Sequence, residues 1–189
     1  MRIIAGQWRS RRLSRPDESV TRPMPDRVKE SIFNMLGVYY ETPGLLPALH
    51  VADVFAGGGS MGLEALSRGA ERCVFFERDR ETLRILRRNL VGLGVVEPQG
   101  VVHGGDAWQS AVVSATDLMF LDPPFADSKD ASEVGTVRRF LAELGRRESC
   151  PRLIVFHHEH SARYPSDVSA WRTVDEREFG SNRVTFWQR

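Results

Sequence analysis

The residues of this chain best suited to chemistry are Leu121-Asp122-Pro123-Pro124-Phe125, which follow an apolar run. Two consecutive prolines stiffen the turn and remove two amide donors, so the local backbone offers carbonyl acceptors instead. That polarity suits an amine. The Asp122 carboxylate and the Pro123 carbonyl can accept its two N–H bonds, orient it and stabilise positive charge developing on nitrogen. Phe125 adds a stacking face for a base, worth roughly 1–3 kcal/mol. An exocyclic amino group of a nucleobase is a poor nucleophile because its lone pair is delocalised into the ring, and alignment is what it needs. Taken alone, an Asp-Pro-Pro-aromatic string is usually a turn, and its chemical reading depends on what precedes it.

What precedes it is Asp53-Val-Phe-Ala-Gly57-Gly58-Gly59-Ser-Met-Gly62, a glycine loop placed between a strand pattern and a helix pattern. Glycines there let the chain turn sharply and let a ligand approach amides at a helix N-terminus. The spacing Gly57-x-Gly59-x-x-Gly62 also satisfies the dinucleotide fingerprint, so the loop alone does not separate a nicotinamide cofactor from S-adenosylmethionine. Three acids bear on the choice. Asp53 would oppose a pyrophosphate but organise a cationic sulfonium ligand and its ammonium group. Glu77 can accept from ribose hydroxyls with either ligand, and Asp106 can accept from an adenine amino group. Each also has a purely structural reading, Asp106 as a helix cap and Asp53 as a strand end.

The elements that must hold these residues alternate. From Leu49 onward, short β-rich runs (His50–Phe55, Cys73–Glu77, Gly100–His103, Leu118–Asp122, Leu153–His157) are separated by helical patterns at Ser60–Arg68, Arg80–Leu90 and Val134–Leu144. This is the signature of a mostly parallel sheet covered by helices. Trp171–Glu178 and Arg183–Trp187, separated by Gly180-Ser181-Asn182, predict an antiparallel hairpin closing the sheet. Ahead of the core, Arg2–Ala5 and Arg12–Ser14 suit a small hairpin, and Pro25–Tyr39 a helix whose Val28, Ile32, Phe33 and Leu36 form an apolar stripe. Glu41–Pro47 connects this extension, residues 1–47, to a core domain of residues 48–189.

With 41% hydrophobic and 27% charged residues over 189 positions, the composition is that of one globular domain. No apolar run reaches the roughly 18 residues that would cross a bilayer, and residues 1–13 lack a signal-peptide core, which predicts a cytoplasmic protein. Cys73 and Cys150 form no ligand pattern and read as reduced thiols. The net charge of +1 conceals an asymmetry: residues 1–29 hold eight basic residues against three acids, so the remainder is net negative. A basic arm suggests a polyanionic partner, since each cation placed on a phosphate releases counterions. His157-His158-Glu159-His160 invites a metal reading, but neighbouring side chains on a strand point to opposite faces, so no metal is expected.

Several blocks together resemble a known family, the bacterial 16S ribosomal RNA guanine-N2 methyltransferases of the RsmD type. They are Arg2-Ile-Ile-Ala-Gly-Gln-Trp8-Arg9, Arg22-Pro23 followed by Asp26-Arg27-Val28-Lys29-Glu30 and Phe33-Asn34, Asp53–Gly62 continuing to Leu63-Glu64-Ala65-Leu66-Ser67-Arg68-Gly69-Ala70, and Asp122–Phe125. The resemblance implies a three-layer, Rossmann-like α/β class I methyltransferase fold. Its sheet would be seven-stranded and mostly parallel, with an antiparallel C-terminal strand and a small N-terminal hairpin and helix. It further implies S-adenosylmethionine as donor and a guanine of small-subunit RNA, free or within a 30S particle, as acceptor for a monomeric enzyme. By matching motif, Asp53, Phe55, Gly57, Gly59, Gly62, Glu77, Arg78, Asp106 and Ala107 would bind the donor. Asp122, Pro123, Pro124 and Phe125 would hold the base.

With an RNA partner, Trp8, Arg9, Arg11, Arg12, Arg22 and Arg27 become the candidate contacts. Two departures from the family stand out: Met24-Pro25 replaces a usual Thr pair, and Gly58 a usual Ser. Adenine N6, cytosine N4 and protein glutamine present a similar planar nitrogen and stay open as acceptors on the motif alone. A nicotinamide-dependent oxidoreductase would leave Asp122–Phe125 without a role, and a noncatalytic RNA-binding module would use only the basic arm.

Overall fold

The computed structural model describes residues 1–16, 24–110 and 116–189. Five parallel strands form its centre: β1 (His50–Val54), β2 (Arg72–Glu77), β3 (Gly100–Gly104), β4 (Leu118–Leu121) and β5 (Leu153–Glu159). Three more follow, β6 (Asp167–Val168), β7 (Trp171–Phe179) and β8 (Asn182–Gln188), and the sheet order is β3-β2-β1-β4-β5-β8-β7-β6. Strand β8 runs antiparallel between β5 and β7. The predicted hairpin is therefore present, and the count of seven becomes eight because the two-residue β6 pairs with the start of β7. So short a strand carries no periodic signal.

Helices α1 (Asp26–Tyr39), α2 (Ser60–Ser67) and α3 (Arg80–Leu93) cover one face, and α4 (Ala107–Ser110) and α6 (Thr136–Gly145) the other, with α5 (Phe125–Ser128) at the end of β4. The strands were legible because β1, β4 and β5 are buried on both faces and read as continuous apolar runs. Alternate residues feed two cores. Val51, Phe75, Phe120 and Val155 pack with α1 to α3, whereas Ala52, Phe76, Met119, Ile154 and Trp187 pack with α6. Fully buried Ile3 joins the first core. The predicted N-terminal hairpin is reduced to one bridge, Arg2 with Arg12, flanked by Ile3 N–H to Arg11 O and Leu13 N–H to Met1 O.

Sheet order reverses between β1 and β4, so the loops leaving those strands diverge and open a crevice at their carboxyl ends. Asp53 lies within β1 near its end, and Asp122 immediately follows β4. Helix α3 is fixed at its start by Asp79, which accepts from Thr82 N–H at 2.8 Å, and is stopped by Gly94 at φ +74°. That places the loop after β2, with Glu77 and Arg78, against the same crevice.

Candidate active site

The crevice is a cavity of about 640 Å³ whose walls include Asp53, Phe55, Gly57, Glu77, Arg78, Ala107 and the whole run Asp122 to Phe125. The structure thus gathers both halves of the predicted site around one space. Gly57, at φ +56°, has open room where a side chain would project, as suits close approach by a ligand. Gly59 and Gly62 are different. A Cβ on Gly59 would lie 2.6 Å from Leu86 Cδ1, and one on Gly62 would lie 2.4 Å from Phe75 Cε1. Neither lines the cavity; they let α2 pack tightly against β2 and α3.

Asp53 is 2% exposed, and its Oδ2 accepts from the Gly62 amide at 2.8 Å. Burial pushes its pKa up to about 8, partly opposed by that hydrogen bond and assisted by the charges of Asp122 and Glu77. The Glu77 carboxylate accepts from three amides, Gly57 through Oε2 at 3.0 Å and Arg78 and Asp79 through Oε1 at 2.8 Å each. It braces the glycine loop and retains acceptor capacity on Oε2. Asp106 does not line the cavity: its Oδ1 accepts from Trp108 N–H at 3.0 Å and caps α4, while Gly105 and Ala107 beside it face the space. Trp108, which the sequence did not single out, stacks edge-on with Phe55 at 4.7 Å between ring centres. Its indole N–H reaches Asp127 at 3.3 Å, so it ties α4 to α5 behind the cavity.

At the other wall the Asp122 amide donates to Val54 O, continuing the β1–β4 ladder, and Pro124 then opens α5. The Asp122 carboxylate, 30% exposed, lies 2.7 Å through Oδ1 from His157 Nδ1. His157 Nε2 in turn lies 3.2 Å from Asn182 Oδ1, and the ring meets Phe125 edge-on at 5.7 Å between centres. Both His157 and Asn182 line the cavity. Neither was predicted, because the signal lies in strand register: Leu121 pairs with Phe156, which brings positions 122 and 157 side by side. Burial alone would lower the His157 pKa, but the charge and hydrogen bond of Asp122, with Asn182, outweigh it and the net direction is upward. His158 faces the opposite side, stacked on Phe156 and bonded to Thr185 Oγ1 at 3.0 Å; burial lowers its pKa to about 4. Among the described residues no group of three or more His, Cys, Asp or Glu is arranged to hold a metal.

The remaining wall comes from the N-terminal segment, through Met1, Pro16, Met24 and Pro25. The Met24-Pro25 departure therefore sits on the cavity itself. The segment is fastened by buried polar groups. Glu64 accepts from the Ile4 and Ala5 amides at 2.7 and 3.0 Å and from Arg68 at 2.8 Å, with Lys29 Nζ 3.5 Å away. Lys29 also donates to Arg2 O and Ser60 Oγ, so this residue of the basic arm is structural. Asn89 clasps Ser14 through both its amide groups and donates to Gly58 O. Among the proposed RNA contacts, Arg9, Arg12 and Arg27 are exposed, and Arg11 is exposed but donates to Gly92 O. Trp8 is half-buried against the core, and Arg22 lies outside the described residues.

Comparison with known proteins is consistent along the whole chain. The family described as "Conserved hypothetical protein 95" matches residues 1–188. "Putative rRNA methyltransferase YlbH" of Bacillus subtilis is 31% identical over 100% of this chain and 99% of its own length. "Ribosomal RNA small subunit methyltransferase D" of Escherichia coli is 38% identical over 66% of this chain, a match spanning 60% of that protein's length. The solved structure "Putative methyltransferase yhhF from Escherichia coli" superposes with a TM-score of 0.79 at 30% identity, over 100% of this chain and 97% of that one.

Proposed function

Because the chain belongs to the Conserved hypothetical protein 95 family, we propose that it transfers a methyl group from S-adenosylmethionine to the exocyclic N2 amino group of a guanine in 16S ribosomal RNA. Its sheet is that of the class I methyltransferases. The observation that carries the reading is the meeting of Asp53, Glu77 and Asp122-Pro123-Pro124-Phe125 around one cavity at the topological switch point. The volume lies within the roughly 300–1,000 Å³ usual for ligand sites. Its acids at the ends of β1 and β2, with the open face of Gly57, fit a donor carrying an ammonium group and a ribose. S-adenosylmethionine supplies a methyl group made electrophilic by its sulfonium.

The chain's own residues do the rest by positioning. Asp122 and the Pro123 carbonyl accept from the acceptor's N–H bonds and hold its lone pair toward the donor side of the cavity. Phe125 stacks on the base, which must be extruded to reach the pocket if it is paired. No strong base is required, since the alkylated nitrogen loses a proton readily. Residues 1–47 form the RNA-contacting extension, with Arg9, Arg12 and Arg27 toward phosphates. The small-subunit assignment draws on the E. coli relative, and the rRNA assignment also on the B. subtilis one, each described by its own name.

The test is to incubate labelled donor with undermodified 30S particles, free 16S RNA and DNA, and to map the product nucleoside. Label in N2-methylguanosine is expected, and Asp122→Ala should abolish it while leaving RNA retention intact. Label only in N6-methyladenine, N4-methylcytosine or DNA would overturn the acceptor assignment. Tight binding of NAD without S-adenosylhomocysteine in calorimetry would overturn the donor.

A further inference from the structure

The acceptor corner extends one layer behind Asp122. Oxygen atoms face both ring nitrogens of His157: Asp122 Oδ1 at Nδ1, 2.7 Å away, and Asn182 Oδ1 at Nε2, 3.2 Å away. The Asn182 amide is oriented by its own Nδ2, which donates to Phe179 O at 3.3 Å. Its oxygen is therefore the atom turned to the histidine. A ring between two acceptors satisfies both only by carrying a proton on each nitrogen. The surroundings agree. Among the described residues, the charge that raises the His157 pKa is that of Asp122 at the end of β4, Asn182 from β8 and Phe125 from α5 are uncharged, and His158, next along β5, is kept neutral by burial.

Building on the methyl-transfer reading, we propose that His157 is a positioning residue for the methyl acceptor: its doubly protonated ring, anchored on Asn182, grips Asp122 through Oδ1 and so presents Oδ2 to the incoming amine. Left alone, a carboxylate on a partly exposed strand end samples several rotamers. Held through one oxygen by a charge-assisted hydrogen bond, it keeps one. The same ring packs edge-on against Phe125, so the acceptor for the amine and the stacking face for the base are set relative to each other by a single side chain. A histidine that merely filled space would couple to neither.

The test uses the full chain with undermodified 30S particles. His157→Ala should lower kcat by roughly 10- to 100-fold, the range carried by one hydrogen bond to a charged group, with S-adenosylhomocysteine affinity changed by less than about twofold. Nitrogen-15 histidine spectra should show both His157 nitrogens protonated at pH 6 and a titration above that of free histidine, falling in Asp122→Asn. Asn182→Ala leaves the Asp122 contact in place and keeps the question answerable if His157→Ala fails to fold: its His157 midpoint should fall and its kcat should drop by a smaller factor. Wild-type kcat in His157→Ala, a His157 midpoint that does not fall in Asp122→Asn, or a neutral ring at pH 6 would each overturn the inference. Failure of the wild-type chain to methylate any acceptor would instead overturn the reading on which it rests. Label on another exocyclic amine would leave this test standing, because the corner would serve that amine in the same way.

Discussion

Asp53 is a buried carboxyl with its pKa raised from 3.8 to about 8, and replacing it by asparagine should make the protein more stable above neutrality while disabling it. In the unfolded chain the carboxyl loses its proton near pH 4, whereas in the folded chain it keeps the proton until about pH 8. Between those limits the folded state binds more protons than the unfolded state, so stability falls as pH rises. Each pH unit corresponds to about 1.4 kcal/mol, and the interval from pH 4 to pH 7 to about 4 kcal/mol at most. Asparagine keeps an oxygen for the Gly62 amide, which Asp53 bonds at 2.8 Å, and has no charge to desolvate. Urea denaturation of both proteins at pH 5, 6, 7 and 8 is the assay. The difference in unfolding free energy should grow in favour of Asp53→Asn by about 1.4 kcal/mol per unit from pH 5 to pH 7 and by less from pH 7 to pH 8, where the folded carboxyl starts to ionise, while calorimetry at pH 7.5 shows S-adenosylhomocysteine binding weakened. Parallel stability curves across this range would refute the argument, because they would mean that Asp53 ionises equally easily folded and unfolded.

Two further outcomes follow from the N-terminal wall. Glu64→Ala should destabilise the fold by about 3–5 kcal/mol, since it strands the buried cations of Lys29 and Arg68; hydrogen exchange at the Ile4 and Ala5 amides should accelerate with it, and a loss under about 1 kcal/mol in urea denaturation would count against the network. Replacing exposed Arg9 and Arg12 together by alanine should leave melting unchanged while reducing the slope of log affinity for 16S RNA against log salt by roughly 0.7–0.9 per lost phosphate contact; an unaltered slope would remove these two from the interface.

Much of this architecture could be read from residue order. Apolar runs buried on both faces announced β1, β4 and β5, and Asp53, Glu77 and Asp122 fell at strand ends, where a parallel sheet puts its ligand edge. What local sequence does not carry depends on partners distant in the chain. His157 and Asn182 join the site through the pairing of β5 with β4 and β8, which no local pattern reports. Gly59 and Gly62 matched a ligand-binding spacing, yet they serve helix packing, because the same residue type answers two different steric demands. Lys29, one of the eight basic residues of the first 29, is buried beside Glu64, thirty-five positions further on. Asp106 caps α4 through Oδ1, between Gly105 and Ala107 of the cavity wall.

The fastening of residues 2–14 onto α2 and α3 has a consequence for how the protein is made. Their partners Glu64, Ser67 and Asn89 lie 59 to 75 positions later, so this segment must wait, with apolar Ile3 uncovered, until the third helix has been made. One wall of the cavity is therefore completed only after the sheet has begun to form, and a nascent chain stalled before Asn89 would carry a glycine loop with nothing to close over it.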